Sequence, residues 1–215
     1  MLTCWLGFTD ISGSLPPEEV MDMLDRLYTK LDNLVDKYEL FKVESIGGRH
    51  MSRRLWMPTA THSLADAFMC VSNLHKEQHD DHVKRIALFS MDAIEAANAT
   101  PISMTDAELG NIHIRVGFHT GPVVANVVGS KNPRYCLCQC TLPLQPLRHS
   151  THYSRSAVGD TVNVSSRMES NSEKDRIHLS DTSTKLLRNQ APELRLQSRG
   201  LTHIKGSIGR GLYKG

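Results

Sequence analysis

An apolar stripe with helical spacing runs through residues 17–38, between two segments that have the composition of strands. Its apolar residues recur every three or four positions, and Pro17 suits the first turn of a helix. The flanking segments, 2–9 and 40–47, are rich in residues that favour strands. The same two patterns return further along the chain, at 66–71, 83–97 and 112–118. This order predicts an α+β fold, a sheet with helices on one face.

The rest of the chain adds shorter elements to this pattern. Residues 123–129 fit either a strand or a short helix. A strand, a helix and a closing hairpin follow, at 177–180, 182–189 and 194–206. In this hairpin the first strand is expected at 194–200 and the second at 201–206. No internal repeat and no linker divides the sequence, so we expect a single domain, residues 1–215.

Composition restricts the classes of function. Hydrophobic residues make up 40% of the chain and charged residues 22%, values typical of a globular protein. The formal net charge is only +2, which does not indicate a surface for nucleic acid or for a membrane. No apolar run approaches the roughly 20 residues that span a bilayer, and the N-terminus lacks the basic start of a signal peptide. The five cysteines, an odd number, favour a reducing setting, so we expect the chain itself to be cytoplasmic.

Two groups of possible metal ligands carry a weak signal. Cys136, Cys138 and Cys140 could bind zinc, but no second pair of Cys or His lies near them at ligand spacing. The polar stretch 77–82 contains Asp, Glu and His, and it is more typical of a solvated loop that leads into a helix. We expect neither group to hold a metal.

The segment 159–170 combines helical spacing with two side chains suited to a nucleotide. Thr161 is a fair N-cap, and Asn163 and Arg167 are four residues apart, so they lie one turn apart on one helix face. An amide and a guanidinium in that register can hold a ribose oxygen and a phosphate together. The alternative is an exposed surface helix with an ordinary arginine.

This segment, Gly159 to Ser170, resembles the signature helix of the class III nucleotidyl cyclases, which make cyclic AMP or cyclic GMP from the triphosphate. We call it the signature helix. Three more motifs resemble the family in the family's order, at 8–13 (F-T-D-I-S-G), 114–125 (I-R-V-G-F-H-T-G-P-V-V-A) and 133–137 (P-R-Y-C-L). The resemblance covers most of the chain. It implies the class III cyclase fold, which has a ferredoxin-like core.

Two of the family's continuous motifs are divided in this chain. Glu44 to Gly47 and Asp66 to Met69 supply the halves of E-[ST]-I-G-D-A-[YF]-M, so we infer an insertion at 48–65. A second insertion, at 138–157, separates P-R-Y-C-L from the signature helix. One hypothesis is that both segments are retained intron sequence or gene-model errors, and the other is that both are real surface loops.

The resemblance implies a two-metal site. Asp10 and Asp66 would bind two Mg²⁺ or Mn²⁺ ions, with the backbone carbonyl of Ile11 as a further ligand. The turn with Gly13 and Ser14 suits a phosphate, although the family usually has Phe at the position of Ser14. An ungapped alignment would place Gly48 at the second metal position. We prefer Asp66, because Ala, Phe and Met follow it as they do in the family.

The signature helix would act on the same nucleotide. The resemblance implies that Asn163 orients the ribose and that Arg167 stabilises charge on the transferred phosphoryl group. Family members usually have a second Lys in K-G-K-G that binds phosphate, and this chain has Ser207 there. Lys205 or Arg210 would take over that contact.

Base choice depends on hydrogen-bond polarity. Guanine presents N1–H and N2–H₂ donors, which a carboxylate accepts, whereas adenine presents an acceptor at N1. The two base-reading positions of the family are Glu and Cys in guanylyl cyclases, and here they are Glu44 and Cys136. The alternatives are a cross-strand ion pair for Glu44 and a small core residue for Cys136. The chain thus resembles most the guanylyl cyclases of the receptor and soluble type, which convert GTP to 3′,5′-cyclic GMP and pyrophosphate.

In this family the active site lies between two catalytic domains. One domain supplies the metal carboxylates and the other supplies the signature helix. Because this chain carries both sets, we expect a head-to-tail homodimer or a heterodimer with another cyclase domain. The competing functions are a catalytically impaired partner or regulatory domain, an adenylate cyclase and an unrelated ferredoxin-like binding module. The resemblance further implies that a longer parent protein is attached to a membrane.

Overall fold

The computed structural model describes residues 2–5, 15–43, 67–128, 134–138, 160–204 and 207–213. The α-helices in these ranges are α1 (Pro17–Lys37), α2 (His82–Asn98), α3 (Asp160–Ser170) and α4 (Asp181–Gln190). A short 3₁₀ helix spans Ala107–Leu109. The first strands are β1 (Leu2–Trp5), β2 (Phe41–Val43), β3 (Ala67–Val71), β4 (Ile114–Phe118) and β5 (Val124–Val128). The later strands are β6 (Arg134–Cys138), β7 (Ile177–Leu179), β8 (Gln197–Ile204) and β9 (Ser207–Tyr213).

The two long helices follow the apolar stripes of the sequence. Helix α1 begins at Pro17, where a missing N–H costs nothing, and its stripe is buried. It ends at Lys37, and Glu39 takes a positive φ of 52° as the chain turns towards β2. Helix α2 begins at His82, directly after the polar stretch that was expected to lead into a helix. Both helices are confirmed within one residue at each end.

A five-stranded sheet forms the centre of the molecule, in the order β2-β3-β1-β4-β7. Strands β1 to β4 are antiparallel to their neighbours, and β7 joins the edge parallel to β4. The order β2-β3-β1-β4, with a helix between β1 and β2 and another between β3 and β4, is the ferredoxin-like arrangement. Strands β5 and β6 pair with each other, as do β8 and β9.

Helices lie on both faces of this sheet. Ile114, Val116 and Phe118 of β4 belong to the core shared with α1, α2 and α4. The residues between them, Arg115 and Gly117, point to the opposite face, because side chains alternate along a strand, and there they meet α3. The α+β class and the ferredoxin-like core are therefore confirmed. The expectation that all helices share one face holds for α1, α2 and α4 and is wrong for α3.

Two details of the C-terminal half also differ from the sequence-based expectation. Helix α3 already begins at Asp160, so Thr161 lies in its first turn and is not the N-cap. The Thr161 hydroxyl instead donates to the carbonyl of Pro122, 2.9 Å away. The closing hairpin forms, but β8 continues through Leu201 to Ile204 after an irregularity, and it pairs with 207–213.

The structure describes one of the three remaining segments and leaves two almost wholly outside its ranges. Residues 123–129, open between strand and helix, contain strand β5. Both inferred insertions, 48–65 and 138–157, lie outside the described residues, apart from Cys138 at the end of β6. No helix within the described ranges has the length and hydrophobicity needed to cross a bilayer.

Candidate active site

Helix α3 has a sheet side and an outer side. Thr161, Ser165, Met168 and Glu169 are buried against the sheet. Asn163 and Arg167 lie about 145–175° around the helix from the centre of that side, because each residue advances by about 100°. Asn163 is exposed and Arg167 is half-buried. The structure therefore places Asn163 and Arg167 together on the outer side, one turn apart.

The sheet side of α3 lies directly on the backbone of β4. A Cβ atom built on Gly117 would lie 2.0 Å from the backbone nitrogen of Glu169 and 2.4 Å from its Cα. Only glycine permits this approach. The Ser165 hydroxyl donates to the Gly117 carbonyl at 3.4 Å, within the same contact.

Two polar contacts secure the C-terminal half of the helix. Both Nε and Nη2 of Arg115 donate to Oε1 of Glu169, at 3.1 and 3.0 Å. The imidazole Nδ1 of His178, on β7, lies 2.8 Å from the carbonyl oxygen of Met168. His178 is fully buried, and that burial lowers the pKa of its imidazole. Ion pairing and a neutral imidazole thus fix the helix to two adjacent strands.

The two ends of the sheet carry different parts of the chain. At one end, which we call the lower end, β1 and β2 stop and β3 starts, because β3 is antiparallel to both. From this end the sequence runs on to Asp10 after β1 and to Glu44 after β2, and Asp66 directly precedes β3. Asp10, Asp66 and Glu44 are therefore connected to the same end of the sheet by short stretches of chain.

The predicted site residues divide between the described ranges and the rest of the chain. Seven of them fall outside the described residues: Asp10, Ile11, Gly13, Ser14, Glu44, Asp66 and Lys205. Cys136 lies in β6, where it pairs with Asn126 of β5. Ser207, at the position of the family's phosphate Lys, starts β9 opposite Ile204. Asn163 and Arg167 are thus the pair whose mutual placement the structure describes.

A cleft of about 290 Å³ lies at the opposite, upper end of the sheet, where β3 and β4 stop. Its walls come from the start of α2, from the turn after β4 and from the sheet side of α3, including Met69, Asn73, His119, Thr161 and Ser165. Neither Asn163 nor Arg167 lines it. This cleft is therefore separate from the outer side of α3.

The described ranges contain other side chains of the types that bind metals. Within them, no three or more His, Cys, Asp or Glu side chains come together in a way that could hold an ion. His79, Asp80 and Asp81 of the polar stretch form the turn before α2, where Asp81 pairs with Arg85. Cys70 of β3 is fully buried, and burial raises the pKa of its thiol to about 12.

Sequence reasoning did not single out the residues that hold α3 in place. Arg115, Gly117, Glu169 and His178 meet only in the folded sheet. One signal was available: in the alternating strand 112–118, a charged residue and a glycine occupy the side away from the apolar core. A glycine in a strand can mark a close approach of another backbone, but the pattern does not indicate which element makes it.

The chain matches a protein-family model and is similar to known proteins. The model for the adenylate and guanylate cyclase catalytic domain matches residues 3–55, 59–142 and 152–214. Retinal guanylyl cyclase 2 of Rattus norvegicus is 35% identical over 201 residues, which cover 94% of this chain and 14% of that protein. A receptor-type guanylate cyclase of Caenorhabditis elegans is also 35% identical, over 94% of this chain and 12% of its own length.

Among solved structures, the chain is similar to the guanylate cyclase domain of RhGC from Catenaria anguillulae, crystallised in complex with GTP. The TM-score is 0.72 at 28% identity, and the match covers 99% of this chain and 91% of that one. The breaks in the family match, at 56–58 and 143–151, both fall inside the segments inferred to be insertions. With its ferredoxin-like sheet, signature helix and match along nearly its whole length, the chain belongs to the adenylate and guanylate cyclase catalytic domain family.

Proposed function

We propose that this domain is a guanylate cyclase, which converts GTP to 3′,5′-cyclic GMP and pyrophosphate at the interface of two catalytic domains. The 3′-oxygen of the ribose forms a bond to the α-phosphorus, and the bond from that phosphorus to the β-phosphate oxygen breaks. The proton of the 3′-hydroxyl leaves to solvent and pyrophosphate departs. Relatives named as guanylate cyclases and the GTP complex of a similar domain support this substrate.

The observation that carries the proposal is the outward position of Asn163 and Arg167. They lie side by side on α3 and face away from the sheet of their own chain. A nucleotide held by these two side chains would therefore need a second surface opposite α3. A second catalytic domain provides that surface in a head-to-tail pair, and a homodimer would form two such sites.

The two side chains have distinct roles in this reaction. Asn163 binds the ribose and fixes the direction in which the 3′-oxygen approaches the phosphorus. Arg167 donates to the non-bridging oxygens of the α-phosphate, where charge increases in the transition state. Its fork of N–H donors suits that geometry better than a single ammonium group would.

The donor set also fits divalent cations. Asp10, Asp66 and the Ile11 carbonyl offer hard oxygen ligands, which Mg²⁺ and Mn²⁺ prefer. The end of β1 and the start of β3 are adjacent in the sheet, with Cys4 opposite Ala67, so the segments bearing both carboxylates depart from neighbouring strands. When bound, two such ions lower the pKa of the attacking hydroxyl and neutralise the polyphosphate.

The base would be read by Glu44 and Cys136. Glu44 directly follows Val43, the last residue of β2 at the lower end of the sheet. Asp66 directly precedes β3, which starts at the same end. A carboxylate there accepts from the N1–H and N2–H₂ groups of guanine. Gly13, Ser14 and Lys205 would bind the phosphates, with Arg210 as the other candidate for the Lys205 role.

We treat residues 48–65 and 138–157 as insertions into an otherwise continuous domain. The family match breaks inside both segments, at 56–58 and 143–151, and resumes before each segment ends. Turnover is therefore to be measured for the full chain and for a variant that lacks both segments.

The experiment is turnover of GTP and of ATP by the purified chain with Mn²⁺, with cyclic nucleotide as the product measured. We expect cyclic GMP to predominate. Arg167→Ala is the matched control: it should lower kcat by about 10²–10³-fold with little change in KM, because its contact is strongest in the transition state. Preference for ATP would refute the guanylate assignment. If the chain alone makes no cyclic nucleotide but raises the turnover of another cyclase domain when the two are mixed, it is an impaired partner domain.

A further inference from the structure

We propose that the ion pair between Arg115 and Glu169 is a positioning element for the reaction, because it sets the rotation of α3 about its own axis. The proposal rests on the proposed function, since its consequence is the aim of Asn163 and Arg167. Neither Arg115 nor Glu169 touches the nucleotide. Both act through the helix that carries the catalytic side chains.

The pair is built as a buried contact. The side chain of Glu169 is only 5% exposed and that of Arg115 is 25% exposed. Two guanidinium nitrogens of Arg115 donate to Oε1 of Glu169, and the hydroxyl of Ser170, 3.2 Å from Oε2, divides its one proton between that oxygen and the Ser166 carbonyl, 2.8 Å away. A carboxylate withdrawn from water needs such donors, and removing the cation leaves it strongly uncompensated. The contact therefore holds Glu169 in one place.

The helix has no freedom to move towards the strand. Because Gly117 has no side chain, the backbone of Glu169 lies directly on β4. A Cβ atom built on Gly117 would be only 2.0 Å from the Glu169 nitrogen. Close backbone contact fixes the height of α3 above the sheet, but a helix resting on a glycine can still turn about its axis. The Arg115–Glu169 pair, reaching from the strand to the helix beside that contact, opposes such a turn.

A small turn of the helix has a large effect on the opposite side. Arg167 lies two residues before Glu169, about 200° around the axis. A rotation of about 10° would displace a group ~6 Å from the axis by ~1 Å. A misplacement of that size can lower the rate of a positioned reaction about 100-fold. The ion pair on the inner side thus controls the aim of the guanidinium on the outer side.

The other contacts on the sheet side complement this one. Thr161 donates to the Pro122 carbonyl at the N-terminal turn, and His178 bonds the Met168 carbonyl near the C-terminal turn. The first joins the start of the helix to the turn after β4, and the second joins its end to β7. The Arg115–Glu169 contact differs because it joins two charged side chains across the face where α3 packs on β4. The geometry of this ion pair depends on the length and the charge of both side chains.

The test compares single and paired substitutions in the full chain. Glu169→Gln and Arg115→Met should each lower kcat for GTP by about 10-fold or more and leave KM within about twofold. The charge-reversed pair, Arg115→Glu with Glu169→Arg, should recover part of the lost kcat. Arg85→Met is the matched control, because the Arg85 side chain is 27% exposed and forms ion pairs with Glu39 and Asp81 away from α3.

A second readout does not depend on activity. Hydrogen–deuterium exchange of the amides in 160–170 should rise in Glu169→Gln and stay at the wild-type level in Arg85→Met. If the wild type makes no cyclic nucleotide, the proposed function fails, and exchange alone decides whether the pair holds α3. Suppose that the wild type is active and Arg167→Ala is impaired. The positioning role would then be overturned if Glu169→Gln had the same kcat and the same amide exchange as the wild type. A loss of activity confined to KM would overturn it as well.

Discussion

The imidazole Nδ1 of His178 lies 2.8 Å from the backbone carbonyl oxygen of Met168. This carbonyl belongs to the last turn of α3, where helical carbonyls lose their partners within the helix. The amide of Ser172, which would continue the helical pattern, bonds instead to the Glu169 carbonyl at 2.8 Å. His178 therefore supplies, from β7, a donor that the end of the helix lacks. The bond requires Nδ1 to carry hydrogen, and it joins the helix end to the sheet.

Stability should fall as the pH drops below about 6.5. Burial lowers the pKa of His178 below its ordinary value of 6.5, although the bond to Met168 opposes that effect. The unfolded chain then takes up this proton more readily than the folded chain does. The contribution of His178 is therefore complete above pH 6.5 and is lost as the pH falls towards the folded-state pKa, with a slope of at most about 1.4 kcal/mol per pH unit.

Urea unfolding between pH 5 and pH 8 measures this effect. His178→Asn is the informative variant, because its amide nitrogen can donate as Nδ1 does but does not titrate. The fall in unfolding free energy below pH 6.5 should be shallower in this variant than in the wild type. If the unfolding free energy fell equally steeply with pH in the two proteins, the burial of His178 would not be the cause of the loss of stability below pH 6.5.

Gly117→Ala should displace α3 and lower both stability and activity. The added Cβ would lie 2.0 Å from the Glu169 nitrogen, a backbone atom that cannot move without the helix. Overpacking of this kind costs about 1–3 kcal/mol. Because α3 carries Asn163 and Arg167, kcat for GTP should fall as well, and unfolding and turnover assays report the two effects separately.

Gly110→Ala serves as the comparison for that variant. Gly110 has a φ of +71° and no atom within 4 Å of a built Cβ, so the substitution strains the backbone without a clash. With a ψ of −152° as well, Gly110 lies in a region that is almost restricted to glycine, so the change should cost about 1–3 kcal/mol of stability and leave kcat unchanged. If Gly117→Ala affected kcat no more than Gly110→Ala, close packing of α3 on β4 would be irrelevant to catalysis.

Asp66→Ala should abolish turnover with Mn²⁺ while the fold remains intact. The change removes one carboxylate from the proposed two-metal site, and Asp10→Ala should have the same effect. Circular dichroism and product formation are the two measurements. Full activity of Asp66→Ala would place the second metal ligand elsewhere, as the ungapped alignment with Gly48 implies, and would contradict the proposed insertion at 48–65.

The double change Glu44→Lys with Cys136→Asp should shift preference from GTP towards ATP. Both substitutions invert the donor and acceptor pattern that faces the purine edge. An unpaired buried polar group costs on the order of 1–3 kcal/mol, so two mismatches correspond to a change of roughly 100-fold or more in the GTP/ATP ratio. The ratio of kcat/KM values for the two nucleotides is the measurement.

The single changes are the controls for base choice. Either one should lose activity with GTP and gain little with ATP, because the other residue still opposes adenine. An unchanged nucleotide preference in the double variant would mean that Glu44 and Cys136 do not read the base.

Local patterns in the sequence determined the elements of the fold. The stripe over 17–38 predicted α1 because apolar periodicity is a property of neighbouring residues, and it is buried as expected. The four-residue spacing of Asn163 and Arg167 determined that they share one helix face, whatever surrounds the helix. Their proposed roles came from the motifs that resemble the family.

Tertiary structure alone decided which surfaces meet. Arg115 and Glu169 are far apart in sequence, and no local pattern couples them. The side of the sheet taken by α3 depended on Gly117, whose lack of a side chain matters only once the helix lies on it. The bond of Thr161 to Pro122 likewise joins partners that only the folded chain brings close. Hydrogen bonds and packing depend on distance in space, whereas helical and strand periodicity depends on distance along the chain.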